Sequence, residues 1–251
     1  MSEIIKTEAV VLGKINFGDS SNVISVFTKD HGKISLILKG GRSPKSRKSL
    51  IINPLNQLQI IYYNKPGRDL QILSEVSLIN HYPKVKEDLE KMKYALSSIE
   101  LIKELIPEQE ANEKLFRGLV RVLQLLNDAE EYPGFYFGKY FLFFIKEFGF
   151  EFQLSECKLC GRKINSGEVC GYNFELGLLC SNCLKTNIES FHLSAELFNY
   201  FICLTKKQKV EFVDNKLIEN SLVFMEKYLK FHHKDFKGLK SLQVFDNRIS
   251  R

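Results

Sequence analysis

No stretch of this chain reaches the roughly 18 to 20 uncharged apolar residues that cross a bilayer. The nearest approach is 134–152, GFYFGKYFLFFIKEFGFEF, where Lys139, Lys146 and Glu147 interrupt the apolar run at helical spacing; it reads as a buried core helix. The opening residues, MSEIIKTEAV, lack the apolar core of a signal peptide. Both absences point to a cytoplasmic protein without a membrane partner. The motifs that usually carry catalysis are missing too: there is no P-loop, dinucleotide fingerprint, nucleophile elbow or carboxylate pair. Histidines 31, 81, 192, 232 and 233 are scattered and read as surface or capping residues. The expectation is a protein that is not an enzyme. Internal repeats, low-complexity tracts and long linkers are also lacking. Cysteine is scarce, with six in 251 residues, yet five of the six fall within the 27 residues 157–183.

What is present is ordinary globular composition, 44% hydrophobic and 26% charged, enough to bury a core. The net charge of +6 is unevenly placed. Residues 1–80 hold 11 Lys and Arg against 6 Asp and Glu, whereas residues 81–150 hold 10 against 12. A polyanionic partner for the N-terminal end follows from that asymmetry.

From about Glu3 to His81, short β-branched runs alternate with turn residues: TEAVVLGKINF, NVISVFT, KISLILKG, LIINPLNQLQIIYY and LQILSEVSLI. They predict five or so strands with no helix of length between them, closing into a small antiparallel barrel over 1–81. After Pro83 the period becomes 3.6 residues and predicts helices over 84–106, 110–126 and 133–148. Pro133 suits a first helical position, and Gly149 follows the last of the three. Helical character resumes with Ser194 as an N-cap for AELFNYFICLTK, and again at Asn215. The fold class is therefore α+β and multidomain: a barrel at 1–81, a helical domain in two parts at 82–150 and 190–251, and a cysteine-rich excursion at 151–189.

That excursion reads CKLCGRKINSGEVCGYNFELGLLCSNC. Two C-x-x-C pairs, Cys157/Cys160 and Cys180/Cys183, have the spacing with which two tight turns aim four thiolates at one tetrahedral cation. So short a segment has little apolar material of its own, and a bound metal supplies the missing folding energy. Zinc is the expected ion, and iron fits the same ligands less commonly. Four thiolates close the coordination sphere, so the metal's role is structural. Disulfides do not suit a reducing compartment, a thioredoxin-like βαβ context is missing, and so is the motif of a zinc deaminase. Cys170 is either a spare ligand or a hairpin residue, and Cys203 reads as a buried helical cysteine.

The second chemical segment is KGGRSPKSRKS, residues 39–49, which packs Lys39, Arg42, Lys45, Arg47 and Lys48 into a loop without one acid. Such a loop can run along a phosphate backbone, releasing counterions. It can equally be a solvated surface. Phe17, Phe27, Tyr62 and Tyr63 are candidates for stacking on unpaired bases, though in a small barrel at least two of the four belong to the core.

In order, the barrel, the K-G-x-R-x-x-K-S-like loop, the helices and the embedded cysteine pairs resemble the RecO family of bacterial recombination mediators. The resemblance rests on GDSSNVISVFTKDHGKISLILKGGRSPKS, on FLFFIKEFGFEFQLSECKLCG and on FKGLKSLQVF (236–245), and runs nearly the full length. It implies an N-terminal OB-fold, a helical domain with a four-cysteine zinc motif, and binding and annealing of single- and double-stranded DNA. It also implies work with RecR to load RecA onto DNA covered by single-stranded DNA-binding protein (SSB), whose acidic tail docks on the helical domain, and a cytoplasmic, nucleoid-associated location. Lys39, Arg42, Lys45 and Arg47 fall on the family's basic loop and Cys157, Cys160, Cys180 and Cys183 on its metal ligands. Many members carry a longer Arg run where this chain has GGRSP, which implies weaker DNA affinity. Two rival functions are a zinc-ribbon adaptor for protein partners that does not itself bind DNA and a magnesium-dependent nuclease; the latter lacks a visible carboxylate cluster.

Overall fold

The computed structural model describes residues 3–186, 188–206 and 213–243. Val244 and Phe245, the end of the FKGLKSLQVF phrase, lie outside the described residues. Alternation at every second position builds five strands: β1 (Glu3–Phe17), β2 (Ser21–Thr28), β3 (Gly32–Leu38), β4 (Gln57–Asn64) and β5 (Leu70–Asn80). They form a closed barrel in the order β1-β2-β3-β5-β4. Its interior is filled by one parity of each strand, including Ile5, Ala9, Val11, Ile24, Leu36, Ile60 and Tyr62. β1 pairs with β4 through Glu3 to Val10 and with β2 through Ala9 to Phe17. An irregularity between Val11 and Gly13 bends it from one neighbour to the other.

Closure is completed by a parallel contact of β3 with β5 that runs only from Ser35↔Leu70 to Ile37↔Ile72. Below it, a later segment takes over: Lys33 bridges Glu108, and the Gln109 amide donates to the Lys33 carbonyl at 2.9 Å. Gly32, at φ +67°, allows this approach, because a Cβ there would collide with the Glu110 backbone.

Three helices follow β5: α2 (Pro83–Glu87), α3 (Leu89–Leu105) and α4 (Glu113–Asp128), while α1 (Arg47–Ile51) lies between β3 and β4. The helix expected over 84–106 is thus two, because Asp88 leaves helical geometry and its carboxylate caps the second by accepting from the Glu90 and Lys91 amides. The segment 39–49 is likewise not all loop: Ser46 accepts from the Ser49 amide and starts α1. Of the four barrel aromatics, Tyr62 lies in the core, and Phe17 and Tyr63 are exposed. Phe27 is buried on the outer side, beneath Phe116 of α4 at 6.1 Å between ring centroids.

Contacts divide the chain into two compact units at a place other than the composition change near residue 81. The first unit holds the barrel, α1 to α4 and the described residues from Leu239 on; the second is Glu130–Gly238. Helices α2 to α4 group with the barrel because they seal it. Besides Phe116, the Tyr82 hydroxyl donates to Gln57 at 3.0 Å, and Lys33 reaches the Lys103 carbonyl at 2.9 Å. The returning chain is held by Glu100, which accepts from the Lys240 and Ser241 amides.

The second unit contains α5 (Pro133–Glu147), α6 (Ala195–Thr205) and α7 (Asn215–His232), with a three-stranded sheet of β6 (Cys170–Asn173), β7 (Gly177–Cys180) and β8 (Phe191–Leu193) in the order β7-β6-β8. Pro133 opens α5, Ser194 caps α6, and Asp214, not Asn215, caps α7. Aromatic rings bind sheet to helices: Phe224 lies 5.4 Å from Tyr172 and 5.0 Å from Phe201, and Phe152 lies 4.9 Å from Tyr228. Among the described residues no helix is long and apolar enough to cross a membrane.

Phe116→Ala should remove the cover from Phe27 and lower unfolding free energy by about 3–5 kcal/mol, the usual range for a buried Phe truncated to Ala. Chemical denaturation measures it, and a change under about 1 kcal/mol would mean that α4 does not seal the barrel.

Candidate metal centre and basic loop

Two knuckles supply the sulfurs. In the first, the Gly161 amide donates to the Cys157 carbonyl at 2.9 Å and the Cys157 amide to the Arg162 carbonyl at 2.8 Å. Gly161 sits at φ +71°, a turn that a side chain would strain. In the second, β7 delivers Cys180 and a 3₁₀ turn, Cys183–Thr186, begins at Cys183. The Lys158 amide donates to the Leu178 carbonyl at 2.8 Å, which sets one knuckle beside the other. The distant residues 157 and 180 thereby meet without a large core of their own.

The four Sγ atoms lie within 4.8 Å of one another, and those of Cys160 and Cys180 are 3.8 Å apart. A tetrahedron with metal–sulfur bonds of about 2.3 Å has edges of about 3.8 Å, so the sulfurs stand close to the spacing a zinc ion requires. Burial pushes the Cys157 thiol up, but amides of Cys180, Cys160 and Leu159 that donate to its sulfur outweigh this and bring it down to about 6. Cys180 is held below its ordinary value, first by the Cys183 amide and also by Arg162, whose guanidinium grips Glu168 at 2.7 Å. Cys183 is pushed up to about 12, first by hydrogen bonding with the Cys180 and Cys160 sulfurs. Crowded sulfurs resist losing their last protons until a cation arrives to balance them. Donor type, spacing and amide orientation all suit a divalent metal ion held by Cys157, Cys160, Cys180 and Cys183.

Cys170 lies outside this group. It is buried at the start of β6, opposite Cys180 in the ladder, and burial pushes its thiol up to about 12. Cys203 is half-buried on α6, more open than its pattern suggests. The segment is tied to α6 by Asn199, whose side-chain oxygen accepts from Ser166 and from the Gly167 amide, both at 2.7 Å.

In the first unit, Lys39, Arg42, Lys45, Arg47 and Lys48 are all exposed. Among the described residues none of the five is in a salt bridge. Arg42 donates to the Gly18 carbonyl at 2.5 Å and Lys48 to the Ser74 carbonyl, so carbonyls orient them and no carboxylate cancels their charge. The sequence did not mark Lys14, which lines the recess of about 460 Å³ beside Arg42, Ser43 and Ser46. Its ammonium donates to the Ser49 carbonyl and hydroxyl and to the Ile52 carbonyl, fixing α1, and burial lowers its pKa. Only the pairing of β1 with the chain beyond the loop reveals that role.

Two family models match the chain. One, described as recombination protein O N terminal, covers residues 1–82, and the other, recombination protein O C terminal, covers 86–242. Their junction coincides with the change from strands to helices. A DNA repair protein RecO from Chlorobium limicola is 37% identical over 163 residues, 65% of this chain and 62% of the relative. One from Salinibacter ruber is 36% identical over 127 residues, 51% of this chain and 49% of the relative. One from Chloroherpeton thalassium is 24% identical over 262 residues, 98% and 99% of the two chains. Against the first two, the chain spans between a half and two thirds of the relative's length.

Cys180→Ser should take the zinc content of the purified protein from about one equivalent per chain toward none, because a four-cysteine site rarely survives with three thiolates. Elemental analysis and thermal unfolding check this together. Full metal content in the variant would remove Cys180 from the ligand set.

Proposed function

We propose, from the premise that the chain belongs to the recombination protein O (RecO) family, that it is a DNA-repair mediator that holds single-stranded DNA on its barrel. The observation that carries this reading is the uncancelled charge of residues 39–48. Five exposed cations at one end of a small barrel suit a chain of phosphates and offer little that would read sequence. Two complementary strands on such a surface repel each other less, and pairing accelerates. The same reading extends to double-stranded DNA, to RecR as a partner, and to RecA loading onto SSB-coated strands. It needs no bond-breaking step, and the protein acts without being an enzyme.

Zinc is the proposed ion of the four-cysteine centre; when bound it cross-links the two knuckles and takes no part in DNA chemistry. The second unit also offers a recess of about 430 Å³ whose floor includes Leu142, Phe143, Ile145 and Leu204, with Lys139 at its rim. An acidic peptide ending in an apolar residue, the chemistry of the SSB tail, matches that floor and that cation.

Changing Arg42, Lys45 and Arg47 together to Ala should reduce the salt slope of single-strand binding by about 2, three contacts at roughly 0.7 each. It should also abolish salt-sensitive acceleration when SSB-coated complementary oligonucleotides are annealed. An unchanged slope would remove the loop from the DNA path. Absence of any DNA binding by folded, zinc-loaded protein would leave the adaptor reading in its place.

A further inference from the structure

The outward parity of the barrel strands carries a feature that the basic loop does not explain. Ile15 pairs with Val23, Val23 with Ile37, Ile37 with Ile72, Ile72 with Tyr63, and Tyr63 with Ile4. Six apolar side chains thus stand in register across all five strands at one level of the barrel. Ile15 and Ile4 are each 66% exposed and Tyr63 is 41% exposed, while the other three are half-buried. The neighbouring level is Gly13, Ser25 and Ser35, small side chains that leave the belt's flank open. A continuous exposed apolar band is a costly surface for a soluble protein and marks a contact.

We propose that this belt is the surface on which unpaired bases of the bound strand lie, while the neighbouring cations hold its phosphates. The inference rests on the DNA-binding reading above and adds base contact to it. Charge placement selects the occupant. Lys39 follows Ile37 by two residues on the chain leaving β3, and Lys6 follows Ile4 by two on β1. Lys48 reaches the carbonyl of Ser74, two residues beyond Ile72. An apolar strip accompanied by cations fits a ligand that has flat apolar faces and one anion per repeat. Five steps between strands at about 4.8 Å give a strip of about 24 Å, in keeping with the roughly four nucleotides of the smallest OB-fold sites. Tyr63 supplies the one aromatic face within the belt, and the aliphatic members tolerate any base.

The test compares a fluorescent thymidine oligonucleotide with an abasic strand of the same length and charge, using the full chain. Wild-type protein should bind the base-bearing strand about tenfold more tightly, the effect of one to two good base contacts. Tyr63→Ala combined with Ile37→Gln, both outward-facing, should lose that preference and keep its affinity for the abasic strand and its salt slope. Equal wild-type affinity for both strands overturns the inference while leaving phosphate binding intact. Binding to neither strand fails the DNA reading itself. Unaltered discrimination by the double variant, or loss of a self-associated species in its sedimentation, reassigns the belt to protein contact and also overturns it. The wild-type comparison needs no variant, so a misfolded double variant leaves the inference open to refutation.

Discussion

Strand β1 gives its first half to β4 and its second half to β2, and the N-terminal unit depends on that division. A straight strand of fifteen residues would run off the end of either neighbour. The irregularity at Val11 to Gly13 lets one strand turn between them, so the sheet closes and its edges disappear. Closure sorts the side chains. One parity becomes the apolar interior, and the other becomes an outer surface on which polarity is not required where a partner covers it. It also brings the chain end at Phe17 to the base of the basic segment, where Lys14 and Gly18 fix α1 and Arg42 from below.

The second unit is organised differently. Its sheet has only three short strands, and aromatic rings from β6 and α7 do most of the packing around it. The knuckles stand at the edge of this aromatic cluster, where apolar contacts thin out and amide donors to sulfur take over. Lowered Cys157 and raised Cys183 express one situation: a pocket prepared for negative charge, in which crowded sulfurs keep protons until a cation balances them. A metal ion there holds the segment in shape, and the family's DNA chemistry needs nothing further from it.

The two units meet their ligands through different physics. Phosphates on the barrel are held by long-range charge that salt screens, whereas the recess beside α5 and α6 offers apolar contact that salt leaves alone. A protein that hands a strand from one coat to another benefits from that separation, since each contact can be released without the other.

Local signals were legible wherever the physics was local. Two-residue alternation marked the strands, Pro133 and Ser194 marked helix starts, and the C-x-x-C spacing marked four ligands whose sulfurs do converge. Loop charge was equally plain, because five cations without an acid need no fold to be counted. The misses have physical causes of two kinds. The break at Asp88 comes from a cap that competes with a strong helical pattern. The burial of Phe27 under α4 and the anchoring role of Lys14 depend on partners far along the chain, Phe116 in one case and Ser49 in the other. The sequence by itself determined parity, capping, ligand spacing and charge, since each depends on residues a few positions apart. Tertiary structure alone decided which outward faces are covered by helices and which, like the belt from Ile15 to Ile4, stay open, because register between strands distant in sequence is set only when the barrel closes.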